Sequence, residues 1–233
     1  MIQARRRKRV PIPDIYTDSF TSRTDGWSEN FDFQHHTLTW DYLQRNDPPS
    51  VLLSDWSSPV SGYAASISRQ LNGPHPTAHV TYRFKVDKYP ARIVEVCDLY
   101  DSTFVHEICN CYLFPNGNLT LFGGPDSILK PIENPVPLNT WIRVWQTFKT
   151  VNGPGTPSLM WLSWALDGQP EPTSGNYVTT VGTFPGGVAK LLFGPLGDVG
   201  APTGSKFWYG GLAISSFPLT IHRTVREPDA EHS

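Results

Sequence analysis

The sequence predicts an all-β protein folded as a two-sheet antiparallel sandwich, and three observations favour this class. The 233 residues include 19 Gly and 22 Pro, and 12% are aromatic. Many turn formers together with many aromatics are typical of short strands joined by tight turns. Segments with a period of two recur between these turn clusters. No window combines helical periodicity with capping residues, and the length suits one large β domain.

The clearest strand signal lies in residues 141–168, where two alternating runs flank a turn rich in Gly, Pro and Asn. Ile142, Val144 and Phe148 share one face of the first run, and Met160 and Leu162 share one face of the second. Because side chains alternate across a strand, this pattern predicts a long β-hairpin with an apolar face directed at the core. The other face carries indoles and a guanidinium, and we look for function there.

Ten further strands are predicted in chain order, separated by turns rich in Gly, Pro, Asn and Asp: 37–43, 62–70, 77–87, 91–100, 104–114, 118–122, 177–184, 188–193, 206–215 and 219–225. Punctuation at this spacing is typical of a β-sandwich. No linker follows residue 14, so we expect one sandwich domain at residues 15–227 and a short tail at residues 228–233.

Residues 1–14 are predicted to form an extended basic arm. Five consecutive cations are followed by a Pro-x-Pro segment, and proline fixes φ and removes a backbone donor. We predict that these cations bind an acidic partner: Arg5, Arg6, Arg7, Lys8 and Arg9. A solvated tail, a nuclear-localisation signal or a nucleic-acid patch are the alternatives. The net charge of −2 gives the body no basic field for nucleic acid.

The sequence predicts neither a signal peptide, nor a membrane-spanning segment, nor a disulfide framework. The residues after the cations lack the apolar core of a signal peptide, and no stretch is long enough to span a membrane. Three clustered cysteines, Cys97, Cys109 and Cys111, do not form a disulfide framework. We expect them to be small buried apolar residues, because no second pair stands at metal-ligand spacing.

The order of the strand motifs resembles the concanavalin A-like lectin/glucanase superfamily, in its laminin-G-like branch. The resemblance rests on HVTYRFKVD at residues 79–87, NGNLTL at 116–121, NTWIRV at 139–144, LDG at 166–168 and FWYGGLAIS at 207–215. It implies a jelly roll with one concave and one convex sheet. It also makes Ca²⁺ binding conceivable, although no run of residues resembles a calcium loop.

The segment DSFTSRTDGW at residues 18–27 also resembles the start of such modules in tail proteins of phages that infect actinobacteria. In that family, a short basic arm would tie the module to other virion subunits. The resemblance therefore implies a minor tail or surface protein of a virion, assembled with many other subunits and in contact with the host surface.

Carboxylates that could cleave a glycan occur in the segment EVCDLYD at residues 95–101. Glu95 and Asp98 are three apart and would face opposite sides of a regular strand, which departs from the glucanase pattern. If the strands at 91–100 and 104–114 paired through a tight turn near Ser102, Glu95 and Glu107 would share a face as an acid/base pair, and Asp98 would neighbour His106. The alternative is that these polar residues are bridged within the sheet. No G-x-S-x-G motif supports a serine nucleophile.

The binding hypothesis uses Trp141, Arg143, Trp145 and Trp161, which share the second face of the hairpin. Sugar C–H faces pack on indoles, and arginine donates hydrogen bonds to hydroxyls or carboxylates. Trp141 and Trp145 lie about 13 Å apart at 3.3 Å per residue, which suits an extended glycan. The same face could instead form a subunit interface or a second core.

The leading hypothesis from the sequence is a non-enzymatic virion protein with a lectin-like, glycan-binding module. A glycoside hydrolase or polysaccharide lyase of the same fold, using Glu95 and Glu107, is the alternative. A purely structural capsid or tail cement protein is a third hypothesis.

Overall fold

The computed structural model describes the chain over residues 13–18, 26–31, 37–41, 51–56, 65–102, 107–123, 130–132, 134–150, 158–172, 176–180, 187–197 and 205–219. Fifteen strands are assigned: β1 Tyr16–Asp18, β2 Ser28–Phe31, β3 Thr37–Asp41, β4 Val51–Trp56, β5 Ala65–His75, β6 Thr77–Val86, β7 Val94–Tyr100, β8 Glu107–Leu113, β9 Leu119–Phe122, β10 Lys130–Pro131, β11 Ile142–Lys149, β12 Ser158–Leu166, β13 Asn176–Thr180, β14 Val188–Gly197 and β15 Ser205–Ser215. The described part of the chain contains no helix long and apolar enough to cross a membrane.

The strands form two antiparallel sheets that pack as a sandwich, which confirms the predicted fold class. The eight-stranded sheet has the order β13-β12-β11-β6-β15-β4-β3, with β1 paired to β15. The seven-stranded sheet has the order β10-β9-β8-β7-β14-β5-β2. Some neighbouring strands are consecutive in the chain, such as β11 and β12, whereas others are far apart in sequence, such as β6 and β15. Each sheet is therefore assembled from strands throughout the chain.

The core between the sheets is centred on aromatic side chains. Phe193 of the seven-stranded sheet meets Tyr82 of the eight-stranded sheet edge to face, with ring centroids 4.8 Å apart. It meets Tyr209 in the same way at 5.2 Å. All three are fully buried, and such aromatic pairs add specific geometry to the burial of large apolar areas. The inner face of each sheet is thereby fixed, and the opposite faces are available for function.

Gln146 is a polar side chain that joins the two sheets inside this core. Its residue lies in β11, and its Nε2 donates to the backbone oxygen of Cys109 in β8 at 2.7 Å. The side chain is fully buried, so this hydrogen bond offsets the cost of desolvating the amide. Gln146 therefore sets how the two sheets align next to the cysteines.

The predicted hairpin is confirmed. β11 pairs with β12 in antiparallel register, with Val144 opposite Trp164 and Phe148 opposite Met160. Val144, Phe148 and Met160 belong to the buried core, as their face predicted. Leu166, placed on the same face by the pattern, is 49% exposed because it ends the strand.

Several strand boundaries differ from the prediction. Four short strands were not predicted: Tyr16–Asp18, Ser28–Phe31, Val51–Trp56 and Lys130–Pro131. A turn was expected at residues 72–74, yet β5 continues to His75 and the chain turns at Pro76. Gly187 approaches this turn so closely that a Cβ there would lie 2.0 Å from the His75 oxygen. The close backbone approach explains why glycine is required at that position.

The domain ends and the arm remain predictions. Residues 1–12 of the basic arm and the predicted strand after Leu219 lie outside the described residues. The arm's last residue, Asp14, is described and accepts hydrogen bonds from Ser215 Oγ at 2.9 Å and from the Ser216 amide at 2.8 Å. These bonds, those from Ser216 foremost, lower the pKa of Asp14 to about 2. The start of the sandwich is thus attached to the end of its last described strand.

Candidate functional site

A β-bulge in β7 brings two carboxylates to one face of the seven-stranded sheet. The register with β8 shifts between Glu95 and Cys97, so Glu95 lies opposite Tyr112 and Asp98 lies opposite Asn110. Tyr112 and Asn110 are two apart and share a face, and their partners must share it too. The bulged residues Val96 and Cys97 both belong to the buried core. Glu95 and Asp98 therefore point away from the core, on what we term the Glu95 face.

A tyrosine and a glutamate are in direct contact on the Glu95 face. The hydroxyl of Tyr112 donates to Glu95 Oε1 at 2.9 Å. Burial, followed by the charges of Glu95 and Asp98, raises the pKa of Tyr112 well above its ordinary value. The phenol consequently holds its proton at neutral pH and acts as a donor. Both residues are partly exposed, although Glu95 Oε2 itself is buried.

A polar layer supports the pair from within the sheet. Asp98 and Asn110, opposite each other in β7 and β8, are both 0% exposed. Thr120 in β9 lies opposite Tyr112 and is also fully buried. Buried polar groups in a low-dielectric environment interact strongly with their neighbours. Within this layer, the charge of Asp98 raises the pKa of Tyr112, whereas a hydrogen bond with the Asn110 side chain lowers it.

A cation lies further along the same face. Lys190 in β14 is opposite Tyr100 in β7 and Gln70 in β5. Partial desolvation lowers the pKa of Lys190. Tyr100 is five residues beyond Glu95, and the bulge takes up one of them. With one strand spacing across to β14, Lys190 is roughly 14 Å from Glu95. The Glu95 face thus carries a hydrogen-bonded glutamate–tyrosine pair at one point and a lysine further along the sheet.

The predicted pairing of Glu95 with Glu107 is not observed. Glu107 lies opposite Tyr100, at the other end of β7 from Glu95. Its side chain and all of His106 lie outside the described part of the chain. The prediction depended on a tight turn near Ser102, but β7 ends at Tyr100 and β8 begins only at Glu107. The register therefore differs from the predicted one, and Asp98 lies opposite Asn110 instead of near His106. Tyr112 was not predicted, although its alternation with Cys109 and Cys111 placed it outside the core.

The outer face of the eight-stranded sheet carries the residues predicted to bind a ligand. Trp141 and Arg143 lie on this face and are partly exposed, as is Trp161. Trp145 is 4% exposed, so its ring is not available for stacking on a sugar. Its neighbours across the strands, Thr81 and Ser163, are buried as well. Of the four residues predicted to bind a ligand, Trp145 is therefore buried, and the other three are partly exposed.

Ion pairs and stacked cations organise this outer face. Asp167 Oδ2 lies 2.8 Å from Arg83 Nε, and Asp167 Oδ1 lies 3.2 Å from Arg143 NH2. The guanidinium of Arg83 stacks over Trp141 at 4.6 Å from the ring centroid. Arg83 and Asp167 were not identified from the sequence, because they come from other strands and only the sheet register brings them together. The sequence offered one signal for Arg83. Thr81, Arg83 and Lys85 alternate with apolar residues along β6, which places them together on the outer face of the sheet.

The cysteines and metal ligands give no second reactive centre in the described residues. Cys97, Cys109 and Cys111 are free and buried, as predicted. Burial raises the pKa of Cys109 to about 12, so its thiol is not a nucleophile at neutral pH. Within the described ranges, no group of three or more His, Cys, Asp or Glu residues could hold a metal ion.

Comparison with known proteins shows similarity of fold to carbohydrate-active proteins. No protein-family model matches the sequence, and no curated protein matches it. The marine PL-14 alginate lyase from Aplysia kurodai has a TM-score of 0.62 at 8% identity, covering 78% of this chain and 90% of the lyase. The endo-β-1,4-glucuronan lyase from Trichoderma reesei has a TM-score of 0.59 at 12% identity, covering 84% and 94%. The cellulose-induced protein Cip1 has a TM-score of 0.60 at 13% identity, covering 89% and 100%.

These comparisons confirm the jelly-roll fold and correct one prediction. The expectation that the chain is not an enzyme is wrong on this finding, because two solved structures that match most of the chain are polysaccharide lyases. The identities, between 8% and 13%, are too low to transfer a substrate or a catalytic residue. A function must therefore be argued from the side chains of this chain.

Proposed function

We propose that the protein is a polysaccharide lyase whose reaction centre is the Glu95–Tyr112 pair. The hydrogen bond of 2.9 Å between Tyr112 and Glu95 carries the proposal. It places a proton acceptor and a proton donor side by side on a sheet face, as general acid–base catalysis requires. The fold similarity to an alginate lyase and a glucuronan lyase supports the same class of reaction.

The burial of Asp98 favours elimination over hydrolysis. A glycoside hydrolase uses two carboxyl groups that flank the glycosidic bond, about 5–9.5 Å apart according to mechanism. Glu95 and Asp98 share a face, yet Asp98 is fully buried and cannot reach a bond in the substrate. Among the acidic residues described on the Glu95 face, Glu95 is the one that is partly exposed. An elimination needs one base and one acid, and Glu95 and Tyr112 supply both.

The two residues can complete a full proton cycle. The Glu95 carboxylate takes the C5 proton of a uronate sugar, a C4–C5 double bond forms, and the C4–O bond breaks. Tyr112 gives its phenolic proton to the leaving oxygen, so neither product carries an unbalanced charge. The proton on Glu95 then passes to the Tyr112 phenolate across the same hydrogen bond, which restores the starting state.

The substrate class follows from the reaction. Elimination needs a carboxylate at C5 to acidify the neighbouring proton, so the polymer must contain uronate sugars. Lys190 on the same face offers an ammonium group for the carboxylate of another sugar along the chain. Alginate and β-1,4-glucuronan, polymers whose sugars carry carboxylates, are the substrates to test first.

Product chemistry tests this function. The protein should convert a uronate polymer into fragments that absorb in the ultraviolet through their C4–C5 double bond, and Glu95→Gln should abolish the absorbance. Lys149→Gln, an exposed change on the opposite sheet, is the matched control and should retain activity. New reducing ends without the double bond would indicate hydrolysis and contradict the proposal. No cleavage of any uronate polymer by the wild type would also contradict it.

We propose in addition that the module is carried on a virion as part of a tail or surface protein. The support is the run of five cations at residues 5–9 and the resemblance of residues 18–27 to phage tail modules. Cations on an extended arm bind acidic protein surfaces. Deletion of residues 1–13 should then prevent incorporation into particles without lowering the melting temperature of the domain. Normal incorporation of the truncated protein would refute this role.

A further inference from the structure

Two of the three cysteines face each other across the strands that carry the candidate site. Cys97 in β7 lies directly opposite Cys111 in β8. Both belong to the buried core, so their side chains leave the two strands on the same side. Residues directly opposite each other in antiparallel strands have Cα atoms about 4.5–5.5 Å apart, and a disulfide spans about 4.4–6.8 Å between Cα atoms. The backbone therefore holds these two thiols at a separation that a disulfide can bridge.

The third cysteine is placed differently. Cys109 lies opposite Leu99, which makes it a diagonal neighbour of Cys97. Diagonal neighbours in antiparallel strands are about 7–8 Å apart, beyond the usual range of a disulfide. The Cys109 sulfur also accepts a hydrogen bond from Gln146 Nε2 of the facing sheet at 3.5 Å. Of the three thiols, the register thus selects Cys97 and Cys111 as the pair.

A tyrosine of the facing sheet contacts both members of this pair. Tyr82 in β6 is fully buried. Burial raises the pKa of Cys97 and of Cys111, and interaction with the Tyr82 hydroxyl lowers the pKa of each thiol in part. Both sulfurs therefore lie close to the same oxygen atom. The two side chains converge on one point of the core, in agreement with the strand register.

Burial determines when the two thiols can react. A thiolate is the species that attacks a disulfide in thiol–disulfide exchange, and burial keeps both thiols protonated in the folded protein. In the unfolded chain, a cysteine is accessible and has its ordinary pKa of about 8.5. Reaction between the two cysteines therefore has to precede or accompany folding.

We propose that Cys97 and Cys111 form a disulfide when the chain folds in an oxidising environment. The oxidant is a small disulfide such as oxidised glutathione. One protein thiolate attacks it and releases a glutathione thiol, and the second protein thiolate then displaces the other glutathione. The protein exchanges two S–H bonds for one S–S bond, and the two glutathione thiols take up the two electrons and two protons.

The linkage would join β7 to β8 beside the bulge at Val96 and Cys97, next to the Glu95–Tyr112 pair. The structure, in which the thiols are free, is then the reduced form. The proposal rests on the strand register and on burial, and it does not depend on the lyase function.

Counting thiols after refolding tests the proposal. The full chain is unfolded, reduced and refolded with reduced and oxidised glutathione, and the remaining thiols are alkylated in denaturant and counted by mass spectrometry. Of the three thiols, the Cys109 thiol alone should remain. Cys109→Ala should leave none, whereas Cys97→Ala and Cys111→Ala should each leave both remaining thiols free. A non-reducing peptide map of the wild type should show residues 97 and 111 linked, and it requires no variant to fold.

The linked protein should also melt roughly 5–10 °C higher than the same protein after reduction, because the linkage restricts the unfolded chain. If the chain does not refold in vitro, expression in the oxidising bacterial periplasm supplies the same test. Three free thiols in the wild type, a linkage through Cys109, or a glutathione adduct in place of the linkage would each overturn the proposal. A lower melting temperature of the linked form would also overturn it, since the linkage would then strain the sheet.

Discussion

Replacing Tyr112 with phenylalanine is expected to lower kcat on a uronate polymer by roughly 10²–10⁴-fold, the contribution of a positioned acid or base. The change removes one oxygen and with it the proton donated to Glu95. The ring remains to pack edge to face against Phe122, at 5.9 Å between centroids. The fold should therefore be retained, with a melting temperature close to that of the wild type. Steady-state kinetics together with circular dichroism separate the two effects.

Tyr16→Phe is the matched control, because Tyr16 also donates its hydroxyl to a carboxylate, that of Asp18, at 2.6 Å. Tyr16 is in β1 at the other sheet, so its loss should leave kcat unchanged. The pH profile adds a second check. A raised pKa keeps Tyr112 protonated to higher pH, and the alkaline fall in kcat should lie above the ordinary tyrosine value of about 10. Full activity of Tyr112→Phe would exclude Tyr112 as the proton donor.

Asp167→Asn is expected to destabilise the protein by about 2–4 kcal/mol. Asp167 pairs with Arg83 at 2.8 Å and with Arg143 at 3.2 Å, and these side chains are only 3% and 16% exposed. Removing one partner of a buried pair costs about 3–5 kcal/mol because a charge is left uncompensated. The 24% exposure of Asp167 lowers the estimate. Urea denaturation measures this loss. The shift in the urea midpoint, multiplied by the slope m of the free energy of unfolding against urea concentration, gives the change in the free energy of unfolding.

Glu171→Gln is the control for this change, since Glu171 is an exposed carboxyl near the same strand that accepts from Ser163 Oγ at 3.3 Å. It should cost less than about 1 kcal/mol. Adding Arg143→Gln to Asp167→Asn should recover part of the loss, because one of the two cations that have lost the Asp167 charge is then removed. A loss below about 1 kcal/mol for Asp167→Asn would show that water already compensates both arginines.

The sequence was sufficient where structure depends on local alternation. The period of two in residues 141–168 predicted the hairpin, and it placed Val144, Phe148 and Met160 in the core. The fold class followed from the same periodicity repeated along the chain. Alternation is a property of each strand alone, so these features could be read without knowing which strands are neighbours.

The sequence identified Glu95 but not its partner Tyr112, because the candidate site depends on pairing between distant strands. The bulge at Val96 and Cys97 turns Glu95 and Asp98 to one face, and β14 is irregular at the same level, between Phe193 and Leu196. A bulge fixed by two neighbouring strands has no signature in its own sequence. On the outer face of the eight-stranded sheet, the sequence likewise identified Trp141 but not Arg83, which stacks on its ring from a neighbouring strand.

A structure of the Tyr112→Phe variant with a bound uronate oligosaccharide is the most direct test of the reaction centre. Loss of the proton donor should let an intact sugar chain remain on the protein. The account predicts a sugar ring over Glu95, with its C5 proton directed at the Glu95 carboxylate and its C4 oxygen at the ring edge of residue 112. Oligosaccharide bound elsewhere on the protein, with none on the Glu95 face, would contradict it.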